Sequence, residues 1–143
     1  MIAYLDTSAL LKLYFEETGA ENVQSATATA EAVSTSMLAY VEARSAFARK
    51  RREGGLPLLA YSRLLIMFES EWQRLFVIPV DDNLVREAGT LAEARQLRAA
   101  DAVHLASAKV VQRASKADVV FYVADRALER AAKAEGLAAA LVG

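Results

Sequence analysis

Apolar positions along this chain fall into two patterns, short solid runs and longer stripes at helical spacing. Ile2 to Leu5 is a short apolar run that stops at Asp6-Thr7-Ser8, residue types whose side chains start a helix by accepting its first free N–H groups. Ala9 to Phe15 predicts a short helix, and Ala20 to Ala30 a second, alanine-rich one. Ala32 to Ser36 is short and β-branched, as in a strand. Leu38 to Arg52 reads as a helix closed by a basic run and stopped at Gly54-Gly55. Pro57 suits a first helical turn and opens a helix that reaches Arg74. Phe76 to Val80 predicts a strand, Asp81-Asp82-Asn83 the cap of a helix running to Gln96, and Ala100 to Ala114 another helix. Val119 to Val123 is a strongly apolar strand, Arg126 to Glu135 a helix stopped by Gly136, and Leu137 to Val142 a closing strand. Strands that alternate with helices imply an α/β fold with a mainly parallel sheet. Strands apolar on both sides imply helices over both faces, hence three layers. No linker, repeat or low-complexity stretch interrupts the pattern, so residues 1–143 are expected to form a single domain.

Composition narrows this picture in three ways. Apolar residues at 55% and charged residues at 24% describe a chain that folds rather than one that stays disordered. The absence of cysteine excludes disulfides and thiolate metal sites. No apolar run reaches the roughly 18 residues of a membrane span. Met1 to Asp6 meets an acid too early for a signal peptide, which makes a cytoplasmic location the expectation. The formal net charge of −1 changes more. Proteins that hold nucleic acid by overall charge show a basic excess. Any such contact here has to come from a local basic patch or from cations bridging an acidic pocket.

The acids have a common placement. Working sites of open parallel sheets lie beyond the carboxyl ends of the strands. Asp6 directly follows the first strand, Asp125 comes just after the strand Val119 to Val123, and Glu42 lies in the first turns of the helix after Ala32 to Ser36. Asp101 opens the helix Ala100 to Ala114. Each has a plain explanation alone: Asp6, Asp101 and Asp125 as acids at helix starts, Glu42 as a solvated surface residue. Together they converge on one rim. Hard cations such as Mg²⁺ and Mn²⁺ take several carboxylate oxygens plus water, and carboxylates crowded without a cation repel one another. Bound cations turn water into hydroxide, and a pair about 4 Å apart can steady both oxygens of a phosphodiester displacement.

The segments around these acids resemble one family. Ile2-Ala3-Tyr4-Leu5-Asp6-Thr7-Ser8-Ala9-Leu10 is similar to the opening of the PIN domain, specifically of the VapC toxins of bacterial and archaeal toxin–antitoxin pairs. Tyr40-Val41-Glu42-Ala43-Arg44 resembles that family's second acidic motif. Leu97-Arg98-Ala99-Ala100-Asp101-Ala102-Val103-His104-Leu105-Ala106 resembles the third and most specific one, and Val123-Ala124-Asp125-Arg126-Ala127-Leu128 the last. The resemblance covers essentially the whole chain. It implies a three-layer α/β/α fold and an Mg²⁺- or Mn²⁺-dependent endoribonuclease with Asp6, Glu42 and Asp101 as core metal-binding acids and Asp125 completing the site. It also implies a homodimer, and silencing by a VapB-like antitoxin that enters the active-site groove. One position departs from the family: Ser or Thr commonly stands two residues before the last Asp, and here it is Val123.

Smaller features complete the expectations. Lys12, Arg44 and Arg98 are the candidate RNA contacts, and the run Arg49 to Arg52, the main basic concentration with Arg44, is either part of such a patch or a solvated helix end. His104, three residues past Asp101, is expected to pack or hydrogen-bond beside the site, since metal-bound hydroxide needs no histidine base. Thr7 or Ser8 either supplies a hydroxyl near Asp6 or caps the helix. Leu64-Leu65-Ile66-Met67-Phe68 is apolar enough to meet either a partner chain or the core. Rival α/β enzymes fit poorly: a haloacid-dehalogenase-type phosphatase needs an acid at Ser8, and a receiver domain needs paired acids and a lysine that are missing. A PIN-like module that binds RNA or protein without cutting is the remaining alternative.

Overall fold

The computed structural model describes residues 1–143. Five strands, β1 (Ile2–Leu5), β2 (Ala32–Ser36), β3 (Phe76–Ile78), β4 (Val119–Val123) and β5 (Ala138–Leu141), form one fully parallel sheet in the order β3-β2-β1-β4-β5. Seven helices connect them: α1 (Thr7–Leu11), α2 (Ala20–Thr29), α3 (Leu38–Arg52), α4 (Leu58–Trp72), α5 (Asp82–Arg95), α6 (Ala99–Ala114) and α7 (Arg126–Ala134).

Side chains alternate across a strand, and this sorts the helices into two layers. Ala3 and Leu5 of β1 pack with Leu10, Ala39, Ala43, Phe47, Leu64 and Phe68 from α1, α3 and α4. Tyr4, between them, points to the other face and joins Leu84, Leu105, Phe121 and Leu128, where α5, α6 and α7 cover the sheet. The result is the three-layer α/β/α arrangement expected from apolar parallel strands. β2 is the polar exception. Ser34, Thr35 and Ser36 are buried, and each is satisfied locally. Ser34 donates to the Phe76 carbonyl at 2.7 Å, Thr35 donates to the Leu5 carbonyl at 2.8 Å, and Ser36 accepts from the Leu38 N–H at 3.1 Å.

Several element ends differ from the sequence pattern by a few residues, and two of them bear on the packing. α1 stops at Leu11, after which Lys12, Leu13 and Tyr14 bond back to Ala9, Leu10 and Leu11 in tighter i→i−3 turns. That turn brings Tyr14 and Phe15 against Phe47. β3 stops at Ile78, whose carbonyl accepts the Met37 N–H at 2.9 Å, immediately before Pro79. The apolar stretch of α4 divides by helical phase. Leu64 and Phe68 enter the core, whereas Ile66, 72% exposed, faces outward beside Met67. No helix is long and apolar enough to cross a membrane.

The topology places the site. After β1 the chain turns to build β2 and β3 on one side, and after β4 it builds β5 on the other. The switch therefore falls between β1 and β4, the crevice where open α/β sheets bind their ligands. Asp6 and Asp125 are the residues at its mouth.

Candidate active site

A cleft of about 260 Å³ opens at this edge, lined by Asp6, Thr7, Ser8, Glu42, Arg98, Ala100, Asp101 and His104. A larger hollow of about 440 Å³ between α5 and α7 is lined by alanines with Arg95, Gln96 and Arg130 and gathers no acids.

Asp6 does two jobs with two oxygens. Its Oδ1 caps α1 by accepting the Ala9 N–H at 2.8 Å, while Oδ2 has no protein hydrogen bond. Only 4% exposed, its carboxyl is pushed up from the ordinary 3.8 to about 6. Burial is the main cause, opposed by His104 and the Ala9 N–H and reinforced by the charges of Asp101 and Glu42. Glu42 moves the other way. Burial would raise it, but hydrogen bonds from His104 and Thr7 outweigh that and hold it below the usual carboxylate range. Both bonds end on Oε1, from Thr7 Oγ1 at 2.5 Å and from His104 Nε2 at 3.1 Å. Asp101, in the first turn of α6, accepts from Arg98 Nε at 3.3 Å.

Asp125 is placed differently. It caps α7 through the Leu128 N–H at 2.9 Å, its side chain is 44% exposed, and it lies outside the cleft lining. Arg98 links it to the others, reaching Asp101 and, at 4.0 Å, Asp125. Val123, the position where the family resemblance leads to the expectation of a hydroxyl, is buried in the core.

Of the three candidate RNA contacts, the structure brings only Arg98 to the cleft. Arg44 is held by Glu69 at 3.1 Å and by the Tyr40 hydroxyl at 2.8 Å. It follows Glu42 by two residues, about 200° around the helix, and so faces away from it. Lys12 is buried at the end of α1 with Glu17 at 3.8 Å and is also outside the lining. Thr7 settles an open choice: Asp6 is the cap, and the Thr7 hydroxyl serves Glu42. Tyr4 is a site-supporting residue that the sequence reading missed. Its hydroxyl lies 3.0 Å from His104 Nδ1, and nothing in an apolar run marks a partner 100 positions away.

Nowhere do three or more His, Asp or Glu side chains close into a ready-made ion cage. By donor chemistry the cleft nevertheless suits a hard cation. It is lined by carboxylates from three elements, and Asp6 Oδ2 and Glu42 Oε2 are both left without protein partners.

The raised Asp6 carboxyl gives a pH signature. Below pH 3.8 the carboxyl is protonated in folded and unfolded chains alike and contributes nothing. Between pH 3.8 and about 6 the unfolded chain ionises while the folded chain keeps its proton, so stability falls by roughly 3 kcal/mol at most, and above about 6 the folded chain holds the buried anion with that loss complete. Asp6→Asn retains the cap and removes this penalty. In thermal melts without divalent ions, the variant is expected to exceed the wild type by roughly 5–10 °C near pH 7.5 and to match it near pH 4. An equal difference at both pH values would contradict the assignment.

Comparison with known proteins agrees with this architecture. The PIN domain family matches residues 3–134. Ribonuclease VapC45 of Mycobacterium tuberculosis (strain CDC 1551 / Oshkosh) is 35% identical over 135 residues, covering 94% of this chain and 92% of that protein. Among solved structures, PAE2754 from Pyrobaculum aerophilum superposes with a TM-score of 0.65 at 24% identity, covering 97% of this chain and 83% of that one. VapBC2 from Rickettsia felis, bound to a DNA fragment from its promoter, superposes with a TM-score of 0.64 at 15% identity, covering 99% and 98%. The two superpositions establish likeness of fold.

Proposed function

The chain belongs to the PIN domain family, and from that membership we propose that it is a metal-dependent endoribonuclease, the VapC-type toxin of a toxin–antitoxin pair. One observation carries the reading: Asp6, Glu42 and Asp101 line a single cleft at the carboxyl edge of the sheet. Identity of 35% to a ribonuclease over nearly the full chain supports the same chemistry.

Mg²⁺ or Mn²⁺ is the proposed cofactor, held by oxygens of Asp6, Glu42 and Asp101 with Asp125 at the outer edge, where it would supply an activated water and offset phosphate charge. In this reading, water attacks phosphorus and one P–O ester bond of the RNA breaks. The protein's part is placement. Capping fixes Asp6, and two hydrogen bonds fix Glu42. Arg98, 80% exposed, is tethered to two acids yet free to turn to an incoming phosphate, so it is the proposed RNA contact. Lys12 and Arg44 are not, since their charges are engaged elsewhere.

A VapB-like antitoxin and a second copy of the chain are the proposed partners. Leu58, Leu59, Ile66 and Met67 of α4 are exposed apolar side chains on one helix, a surface that such a partner would cover.

The decisive assay is cleavage of a fluorogenic RNA by the purified chain. Hydrolysis in Mg²⁺ or Mn²⁺ that a chelator stops is the expected result. A chain that cuts no RNA in either ion, or cuts equally well with chelator present, overturns the proposal.

A further inference from the structure

We infer that His104, held by Tyr4, is a positioning residue that fixes the Glu42 carboxylate so that a single oxygen, Oε2, is left for the cleft. This rests on the nuclease reading above and goes beyond it, since it concerns a residue outside the acid set.

Proton counting carries the argument. The Thr7 hydroxyl has one proton, and at 2.5 Å from a carboxylate oxygen it donates to Glu42 Oε1. Toward His104 Nε2, 2.9 Å away, the Thr7 oxygen can then only accept. Glu42 Oε1, 3.1 Å from the same nitrogen, accepts as well. Nε2 therefore carries a hydrogen, shared between these two oxygens. A neutral ring protonated at Nε2 has a lone pair on Nδ1, which faces the Tyr4 hydroxyl at 3.0 Å. A bare Nδ1 can only accept, so the Tyr4 hydroxyl is the donor in this contact.

The chain of donors thus runs from Tyr4 to His104 to Glu42, with Thr7 adding a second donor to the same oxygen. His104 is 2% exposed, its ring stands edge-on to Tyr4 with centroids 6.0 Å apart, and the Tyr4 ring is held 5.2 Å from Phe121. Both ring nitrogens are used within the protein, so His104 has no lone pair to take a proton from water. Its work is orientation. Oε1 is occupied twice and Oε2 not at all, so Glu42 offers one oxygen in a fixed direction. Residues that orient a ligand in this way typically change metal affinity or activity about 10–100-fold when lost.

The test separates orientation from mere filling of space. In His104→Gln the side-chain amide can stand where Nε2 does, while His104→Asn is too short and His104→Leu has no donor. Mn²⁺ affinity by calorimetry is expected to fall about tenfold in the Asn and Leu variants and to stay within about threefold of wild type in Gln. The kcat for RNA should follow the same order with KM little changed. In the wild type, two-bond proton–nitrogen correlations of the ring should show the Nε2-protonated tautomer. Wild-type affinity in all three variants, a Gln variant as weak as Leu, or an Nδ1-protonated ring overturns the inference. A Leu variant that fails to fold leaves the Gln–Asn pair and the tautomer to decide. Tight Mn²⁺ binding without RNA cleavage by the wild type sinks the nuclease reading alone, and no Mn²⁺ binding at all sinks both.

Discussion

Asp6→Asn and Asp101→Asn are each expected to cut the rate of RNA cleavage in Mn²⁺ by about a thousandfold, with the fold intact. Asparagine keeps the shape of the side chain and removes one negative charge. At position 6 it also keeps the helix cap, because an amide oxygen accepts the Ala9 N–H as a carboxylate does. What is lost is the anionic second oxygen, which has no structural duty. At position 101 the loss also frees Arg98, whose nearest anion becomes Asp125 at 4.0 Å. Asp125→Asn should cost less, since that side chain is half exposed and lies outside the cleft lining. Because burial makes the Asp6 anion expensive to hold, the inactive Asp6→Asn chain should also be the more stable one above pH 6 without divalent ions. Initial rates on a fluorogenic RNA, with circular dichroism as the check on folding, measure this. Rates within about threefold of wild type for both variants would remove these carboxylates from the chemistry.

Much of this site was legible in the residues because local rules fix it. An acid within two residues of the end of a buried strand has few places to go. Asp6 and Asp125 therefore mark the carboxyl edge of the sheet as soon as Ile2–Leu5 and Val119–Val123 are read as strands. The helix Leu38–Arg52, which carries Glu42, has both ends where Ser36 and Gly54-Gly55 put them. What escaped the sequence is side-chain pairing over distance. Tyr4 lies in an apolar run and looks like ordinary core, yet its hydroxyl meets His104, and no periodicity encodes that contact. Arg44 is a different case. It stands two residues from Glu42 in sequence, but helical phase turns it away from the cleft and toward Glu69. Ile66 and Phe68 show the same rule within one apolar stretch: two residues apart, one is exposed and the other enters the core.

Phe47→Ala should have the opposite signature to Asp6→Asn, a large loss of stability with the chemistry spared. Phe47 is fully buried, and its ring centroid lies 5.6 Å from Tyr14, 5.7 Å from Phe15 and 5.2 Å from Phe68. It thus ties α3 to α4 and to the turn after α1. Removing a buried aromatic ring costs about 3–5 kcal/mol through lost transfer energy and an unfilled cavity. That is a large share of the roughly 5–15 kcal/mol that holds a domain of this size together. The melting midpoint is expected to drop by roughly 10–15 °C. Glu42 shares α3 with Phe47, but its carboxylate is oriented by hydrogen bonds from Thr7 and His104, in which no residue of the aromatic cluster takes part. Well below the new midpoint, the cleavage rate should therefore stay within a few-fold of wild type, whereas a midpoint shift of under about 3 °C would show that the cluster is not the anchor of that layer. A thousandfold rate loss in Phe47→Ala under those conditions would mean instead that α3 must be held by its far end for Glu42 to work, and that the hydrogen bonds to Oε1 do not suffice on their own.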